Sequence, residues 1–400
     1  MAVLKRLKST SKYLGFLGCV LFGLRMSRIH LSVAPSAGQQ ITMGQLSRQR
    51  SRAAQSTPRD TNHYDIENCR GRVKNIYFLK THKCASTTVA TLLTRYAVQH
   101  SLTLALPSAG LKDKYHIGWP APLNPRHVFK YKDGRKINII ALHTTYNRSA
   151  VNEIMPRHTL KIGIIRDPLT QFWSAFDFFH LGNLPNSKAN VTILTYLQDP
   201  MKYARPLLRF HGNRYFKNFL LTEFGYPDHD VTDIETIRRF ASDIFKQFDL
   251  IMTYENLYES VVLMRRLLCW DFKSILMTHF HKNKNFQQHL AGNEKLRELH
   301  KSWSSADYIF YEYLQSKFLD SIKEQDDDFV DEVEHLKNVV KNLELFCHKE
   351  ERQKLGLKKY IVPKSKWNKK IVIRPADCHL YHIKIYDYHN MLIETYVEKY

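Results

Sequence analysis

The sequence predicts an α/β fold, with a central parallel sheet flanked by helices. Short apolar runs recur at residues 76–79, 137–142, 160–165 and 250–253, and each is followed by a polar or charged residue and then a helical pattern. That alternation marks βαβ units. After the first run, Val89, Leu92, Leu93, Tyr96 and Ala97 repeat at the spacing of one helix face. At 400 residues and 44% hydrophobic content, the chain can bury a substantial core, as one large domain or two modest ones.

Lys5, Arg6, Lys8 and Lys12 precede an apolar run at 13–24, which then meets Arg25 and Arg28. A span needs about 20 residues, so the run either extends past Arg25 toward Val33 or is a signal-peptide core; the favoured reading is a signal anchor with its basic end cytosolic. The expected organisation is a cytosolic tail at 1–12, a transmembrane signal anchor at 13–33, a flexible stem at 34–72, a catalytic domain at 73–355 and a C-terminal extension at 356–400 in which no motif is legible. Lys and Arg total 60 against 38 Asp and Glu, a net +22 that favours anionic partners. Residues 1–72 hold 12 basic and 3 acidic residues, so +13 remains for the body. Sequons at Asn147 and Asn190 are candidate glycosylation sites and, with the leader, point to a lumenal body. The six cysteines (Cys19, Cys69, Cys84, Cys269, Cys347 and Cys378) form no CxxC pair, which argues against structural zinc. In a lumenal chain some of Cys69, Cys269, Cys347 and Cys378 would pair, with the connectivity open.

Between the first strand and its helix lies Lys80-Thr81-His82-Lys83-Cys84-Ala85-Ser86-Thr87-Thr88. Strand, polar loop and helix together aim backbone N–H groups and the positive helix end at an anion. The loop has no glycine, unlike the G-x-x-x-x-G-K-[ST] of nucleotide kinases, and no carboxylate after a second strand suggests magnesium. Composition alone would equally fit a solvated surface turn. A second element decides the matter: Arg166 ends the third strand, Asp167 caps the next helix, and Pro168 suits its first turn. Phe172, Ala175, Phe176 and Phe179 make that helix's buried stripe, while Ser174 lies off it, free to face a ligand. An arginine with a hydroxyl two turns on can grip a second phosphate, so the pair of elements suits a nucleotide with separated charged groups. Further helices are expected from Tyr258 to Trp270, over 294–323, and along Phe329, Val333, Leu336, Val340 and Leu343. His279, His281 and His289, like Cys378, His379 and His382, have a loose metal-like spacing but read as ordinary surface residues.

These residues resemble the galactose-3-O-sulfotransferases, Golgi carbohydrate sulfotransferases that use 3′-phosphoadenosine-5′-phosphosulfate and include galactosylceramide sulfotransferase. Lys80 to Thr88 looks like their 5′-phosphosulfate loop and Arg166 to Ser174 like their 3′-phosphate element. Gly118-Trp119-Pro120, Tyr146-Asn147-Arg148, the stretch from Leu263 to Asp271 and the late helix from Trp303 to Phe318 fit the same family, within a resemblance running over 75–346. Departures are Cys84-Ala85, where the family usually has Thr followed by Gly or Ala, and Asp167 in place of a common Glu.

The resemblance implies a P-loop-like sulfotransferase fold and donor binding by Lys80, Thr81, His82, Lys83, Ala85, Ser86, Thr87, Thr88, Arg166 and Ser174. Sulfuryl transfer in line is mostly positioning and charge stabilisation. Lys80 and Lys83 would offset charge on the transferring group, and His82 or His143, at the second strand's end, would be the general base. Cys84 sits at a helix N-terminus, which lowers a thiol's pKa, but in-line transfer needs no covalent step. The implied acceptor is a galactose hydroxyl, O3, on a glycolipid or glycoprotein glycan. The protein would be a single-pass type II Golgi membrane protein with a lumenal catalytic domain, no metal and no nucleic acid, and a homodimer left open. Rival readings are a sulfotransferase for another glycan, such as a glycosaminoglycan, and a non-catalytic polyanion-binding module on the same fold.

Overall fold

The computed structural model of the chain describes residues 69, 71–108, 115–183, 191–203, 217–278, 293–382 and 385–396, all within one compact unit. The expected tail, signal anchor and nearly all of the stem lie outside the described residues, as do Cys19, Asn190, His279, His281 and His289. Among the described residues no helix is long and apolar enough to cross a membrane.

Four parallel strands, β1 (Ile76–Leu79), β2 (Ile139–Ile140), β3 (Leu160–Ile165) and β4 (Leu250–Thr253), form one sheet in the order β2-β1-β3-β4. Every residue of β1 is buried, as suits a parallel strand covered on both faces. Leu79 pairs with Gly163, and Gly163 leaves room for Phe224, whose ring would stand 3.2 Å from an added Cβ. The chain runs from β1 to β2 on one side, then returns across β1 to β3 on the other. The order therefore reverses between β1 and β3, and their carboxyl ends open the crevice where such sheets take ligands. The second strand is shorter than the predicted 137–142. Beyond Ile140 the chain turns to another partner: Ile117 N–H donates to His143 O at 2.9 Å, and His116 bridges to His143.

Helix α1 (Ser86–Gln99) follows β1, and α2 (Arg148–Ile154) joins β2 to β3. Between β3 and β4 come α3 (Pro168–Phe178), α4 (Ile193–Gln198), α5 (Phe219–Glu223) and α6 (Ile234–Gln247). Then follow α7 (Leu257–Leu268), α8 (Glu294–Trp303), α9 (Ser305–Lys323), α10 (Asp328–Cys347) and α11 (Lys349–Lys354). Asp167 caps α3 as expected, accepting from Thr170 N–H at 2.9 Å. Phe176 and Phe179 are only half-buried, however, because Gln171 takes an inner position at 1% exposure. The single helix expected over 294–323 is two helices, broken at Ser304, whose φ of −124° and ψ of 47° leave the helical region. There Ser304 Oγ accepts from Asn218 N–H at 3.2 Å.

Described residues of the C-terminal extension pack into the same body. Strands β5 (Tyr360–Val362) and β6 (Ile371–Ile373) make an antiparallel pair, followed by α12 (Cys378–His382) and α13 (Ile385–Tyr396). Val362, Ile371, Ile373, Tyr381 and Ile385 belong to the main apolar core. Cys347 is bonded to Cys378, and Cys69 to Cys269. His379 Nδ1 lies 2.5 Å from Ala376 O, so with Cys378 in a disulfide this trio is structural.

Arg265 and Arg266, from the family-like stretch of α7, are also structural. Glu332 of α10, 0% exposed, takes Arg266 Nε at 2.8 Å and also pairs with Arg265. Removing one partner of such a cluster strands the others without water. Glu332→Ala is therefore expected to lose about 3–5 kcal/mol in urea unfolding; a change below about 1 kcal/mol would place these arginines elsewhere.

Candidate active site

The β1–α1 loop leaves the sheet at the β1/β3 crevice with Lys80 still inside the core, 1% exposed. Its ammonium donates to His143 Nε2 at 2.6 Å, and its own carbonyl lies 2.7 Å from His143 Nδ1. One tautomer satisfies both contacts: Nδ1–H donates to the carbonyl and Nε2 accepts from the lysine. Burial pushes Lys80 down to about 7, helped by the charge of Lys83 and opposed by Glu223. Burial, with the nearby His82 and Lys80, also holds His143 well below the usual imidazole range. His143 is thus a neutral ring whose two nitrogens are both engaged with Lys80.

His82 has a different partner. Its backbone N–H donates to Glu223 Oε2 at 2.7 Å, and its Nδ1 lies 2.5 Å from Glu223 Oε1. Gln171 Nε2 holds the His82 carbonyl at 2.9 Å. The ring stacks on His143 at 3.7 Å between centroids and lies 4.6 Å from the Trp119 ring. With Nδ1 turned to the carboxylate, Nε2 points the other way, 3.4 Å from His116 Nε2. Burial pushes Glu223 up to about 8, against the His82 N–H, Lys80, His116 and the Trp119 indole. Its helix is held in turn by Asp307 of α9, which accepts from Leu220 N–H at 3.0 Å and Leu221 N–H at 2.8 Å.

Glu223, His116, Trp119 and Gln171 were not among the expected site residues. For Glu223 the one sequence signal is its place as a lone acid in the otherwise apolar or hydroxylic run Phe219-Leu220-Leu221-Thr222-Glu223-Phe224. For Trp119 it is the Gly118-Trp119-Pro120 turn. Gly118 takes φ 75° there, and an added Cβ would stand 1.9 Å from the His127 ring, so both backbone and space call for glycine. The nitrogens of His82, His116 and His143 lie within 4.8 Å of one another. The rings of His82 and His143 are stacked at 14°, however, so their in-plane lone pairs run side by side instead of converging on one ion.

The second element meets the loop directly. Arg166, 6% exposed, donates Nη1–H to Lys83 O at 2.8 Å and Nε–H to Thr170 Oγ1 at 2.9 Å, with its guanidinium 4.1 Å from the Tyr254 ring centroid. The hydroxyl that partners Arg166 is Thr170, one turn into α3; Ser174 is half-buried a turn further on. Thr81 Oγ–H donates to Ile164 O at 2.5 Å, tying β1 to β3, and Ser86 Oγ–H donates to Thr81 O. These two hydroxyls brace the loop. Thr88 N–H already donates to Ala85 O at 2.9 Å, so an anion would meet the Ser86 and Thr87 amides at the start of α1, together with half-buried Thr87 and Lys83. Thr88 stands just behind at 8% exposure. Burial, with Arg166 adding to it, pushes Lys83 down to about 8.

Cys84 is 0% exposed, donates to His82 O at 3.3 Å, and has its thiol pushed up by burial. The thiol is therefore not lowered by the helix N-terminus, since desolvation outweighs that effect. Asn147 caps α2 and donates Nδ2–H to Leu123 O at 3.0 Å.

Without glycine, the loop makes its turn by placing Lys83 at φ 60° and Ala85 at φ 57°, a region that costs a side-chain-bearing residue about 1–2 kcal/mol. Ala85→Gly should relieve part of this and stabilise the fold by about 1 kcal/mol in urea unfolding; a loss of stability would show that this backbone is not strained.

A family model described as Galactose-3-O-sulfotransferase matches residues 1–359. Galactose-3-O-sulfotransferase 2 of Mus musculus is 28% identical over 282 residues, covering 69% of this chain and 70% of the relative. The Homo sapiens protein of the same name is 30% identical over 242 residues, covering 60% and 59%. Galactosylceramide sulfotransferase of Homo sapiens is 27% identical over 248 residues, covering 61% and 57%. The family match takes in the loop, the Arg166 element and the helix that carries Glu223, and on its length this chain belongs to the galactose-3-O-sulfotransferase family.

Proposed function

We propose that the chain moves the sulfuryl group of 3′-phosphoadenosine-5′-phosphosulfate, in line, to O3 of a galactose on a glycolipid or glycoprotein glycan. The observation that carries this reading is the meeting of two lysines, an oriented histidine and Arg166 at the β1/β3 crevice. The galactose acceptor is taken from the activities in the relatives' names.

In this reading the loop amides, Lys80 and Lys83 receive the 5′-phosphosulfate, while Arg166 with Thr170 or Ser174 receives the 3′-phosphate. His82 is the general base. Glu223, when ionised, accepts its Nδ1–H, which makes Nε2 the basic nitrogen, one that an acceptor hydroxyl would take over from His116 Nε2 at 3.4 Å, and stabilises the imidazolium formed on proton transfer. His143 serves Lys80 instead, fixing the ammonium where negative charge builds on the leaving phosphate. The two disulfides suit an oxidising lumen and support a Golgi catalytic domain anchored through residues 13–33.

Labelled donor offered to β-galactosides, heparan and chondroitin should mark the galactosides at O3; transfer to the glycosaminoglycans alone would overturn the acceptor assignment. Glu223→Gln keeps an oxygen for the His82 amide but presents an N–H to Nδ1, forcing the wrong tautomer. It should lower kcat by about 10²- to 10⁴-fold while leaving adenosine 3′,5′-bisphosphate binding in place, and an unchanged kcat would remove Glu223 from the reaction.

The lysines also set a pH dependence. Lys80 and Lys83 are pushed down to about 7 and about 8, and only their protonated forms attract the donor's anion. Affinity for the bisphosphate should be full below about pH 7 and fall as pH rises through about 8, with protons taken up on binding. Calorimetry in buffers of different ionisation enthalpy reads both quantities. Constant affinity from about pH 6 to about pH 9 would take these lysines out of the anion site.

A further inference from the structure

The last stretch of the chain, beyond the family match that ends at residue 359, returns to the catalytic loop. Its path is fastened at several points. Tyr360 Oη–H donates to Val339 O at 3.3 Å, and Arg265 Nη2–H donates to Trp367 O at 3.1 Å. The Cys347–Cys378 bond then clamps α12 to the end of α10. Thr278 Oγ–H donates to Tyr381 O at 2.6 Å, and the Arg95 guanidinium of α1 lies 5.0 Å from the Tyr381 ring centroid. Held this way, α13 packs along α1, the helix that opens from the loop.

The face of α13 turned to the loop is specific. The Tyr386 ring centroid lies 5.8 Å from Lys80 Nζ. Its edge meets the ring of Tyr115 at 4.5 Å and 62°, and Tyr115 directly precedes the His116 that faces His82. One turn further along α13, His389 is 0% exposed and donates Nδ1–H to Ile385 O at 2.9 Å, leaving a buried Nε2 with no hydrogen-bond partner among the described residues. Burial pushes His389 down to about 4, and the charge of Lys80 adds to that shift.

Sheet order tells which side of the reaction this face serves. Arg166 and Lys83 flank Lys80 on the β3 side, where the 3′-phosphate is placed. Tyr115, His116 and His143 flank it on the β2 side, and Tyr386 sits with them. We infer that α13 forms a wall of the acceptor site, with Tyr386 and Tyr115 as an aromatic platform for the apolar face of a sugar next to the acceptor hydroxyl. Tyr115 is 39% exposed and Tyr386 half-buried, so ring surface is available to a carbohydrate, whose C–H faces pack on aromatic rings. Because α13 lies outside the stretch matched to the family model, Tyr386 is a place where this chain can select its own acceptor. The inference rests on the sulfotransferase reading above.

The test is steady-state sulfation by the full chain over a panel of β-galactosides that differ in the sugar joined to galactose. Tyr386→Ala should raise acceptor KM by about fivefold to tenfold, unequally across the panel, with little change in kcat or in adenosine 3′,5′-bisphosphate affinity. Tyr386→Phe, which keeps the ring, should rescue KM. Tyr115→Ala should shift the same acceptors in the same direction. Equal KM values for Tyr386→Ala and the wild type on every acceptor would overturn the wall. So would a loss of bisphosphate affinity matching the loss of activity, since that would show Tyr386 merely supporting Lys80. The underlying reading fails differently: a wild-type chain that binds the bisphosphate but sulfates no galactoside overturns the proposed function, and the wall with it.

Discussion

The site depends on keeping the Glu223 carboxylate buried without stranding it. An unpaired carboxylate removed from water costs several kcal/mol. Here it is met by the backbone and ring of His82, by the Trp119 indole and by the charge of Lys80. Because its two oxygens meet the amide and the ring of the same residue, this carboxyl group fixes which way His82 faces. The helix carrying it is only five residues long, too short to hold its place by itself. Asp307 of α9 binds its first amides, so packing between distant helices decides the orientation of the His82 ring.

Topology explains why cations gather there. The reversal of strand order between β1 and β3 leaves two loops side by side at their carboxyl ends, and Arg166 closes the gap by holding Lys83 O. Crowding then lowers the charge each lysine carries. Burial acts first on Lys80 and Lys83, and neighbouring positive charges add to it. Negative charge brought beside them would favour the protonated form of both lysines. The left-handed backbone at Lys83 and Ala85 belongs to the same compromise, since the loop must double back tightly while its side chains still reach the ligand.

Much of this was legible from residue order, and the misses share a cause. Three of the four strands coincide with their apolar runs, because a strand covered on both faces has to be apolar throughout. Lys80, His82, His143 and Arg166 were legible because each lies within a few residues of a strand end. Thr170 was not singled out, since helical spacing shows which face a side chain occupies and not which hydroxyl a bent arginine side chain will reach. Glu223, His116 and Gln171 follow no local pattern; they matter only through residues 141, 34 and 89 positions away, respectively.

By itself the sequence determined the α/β class, the loop and arginine elements, and the family that they mark, because these are encoded in short-range spacing. Tertiary structure alone decided three things: the different partners of the two histidines, the pairing of the cysteines, and the return of the C-terminal helix to Lys80. Each depends on contacts between segments far apart in the chain, where burial makes a hydrogen bond or a charge count for more than it does in water. The loop could be read as an anion site from its composition. The way its His82 ring faces is set by a carboxyl group on another helix.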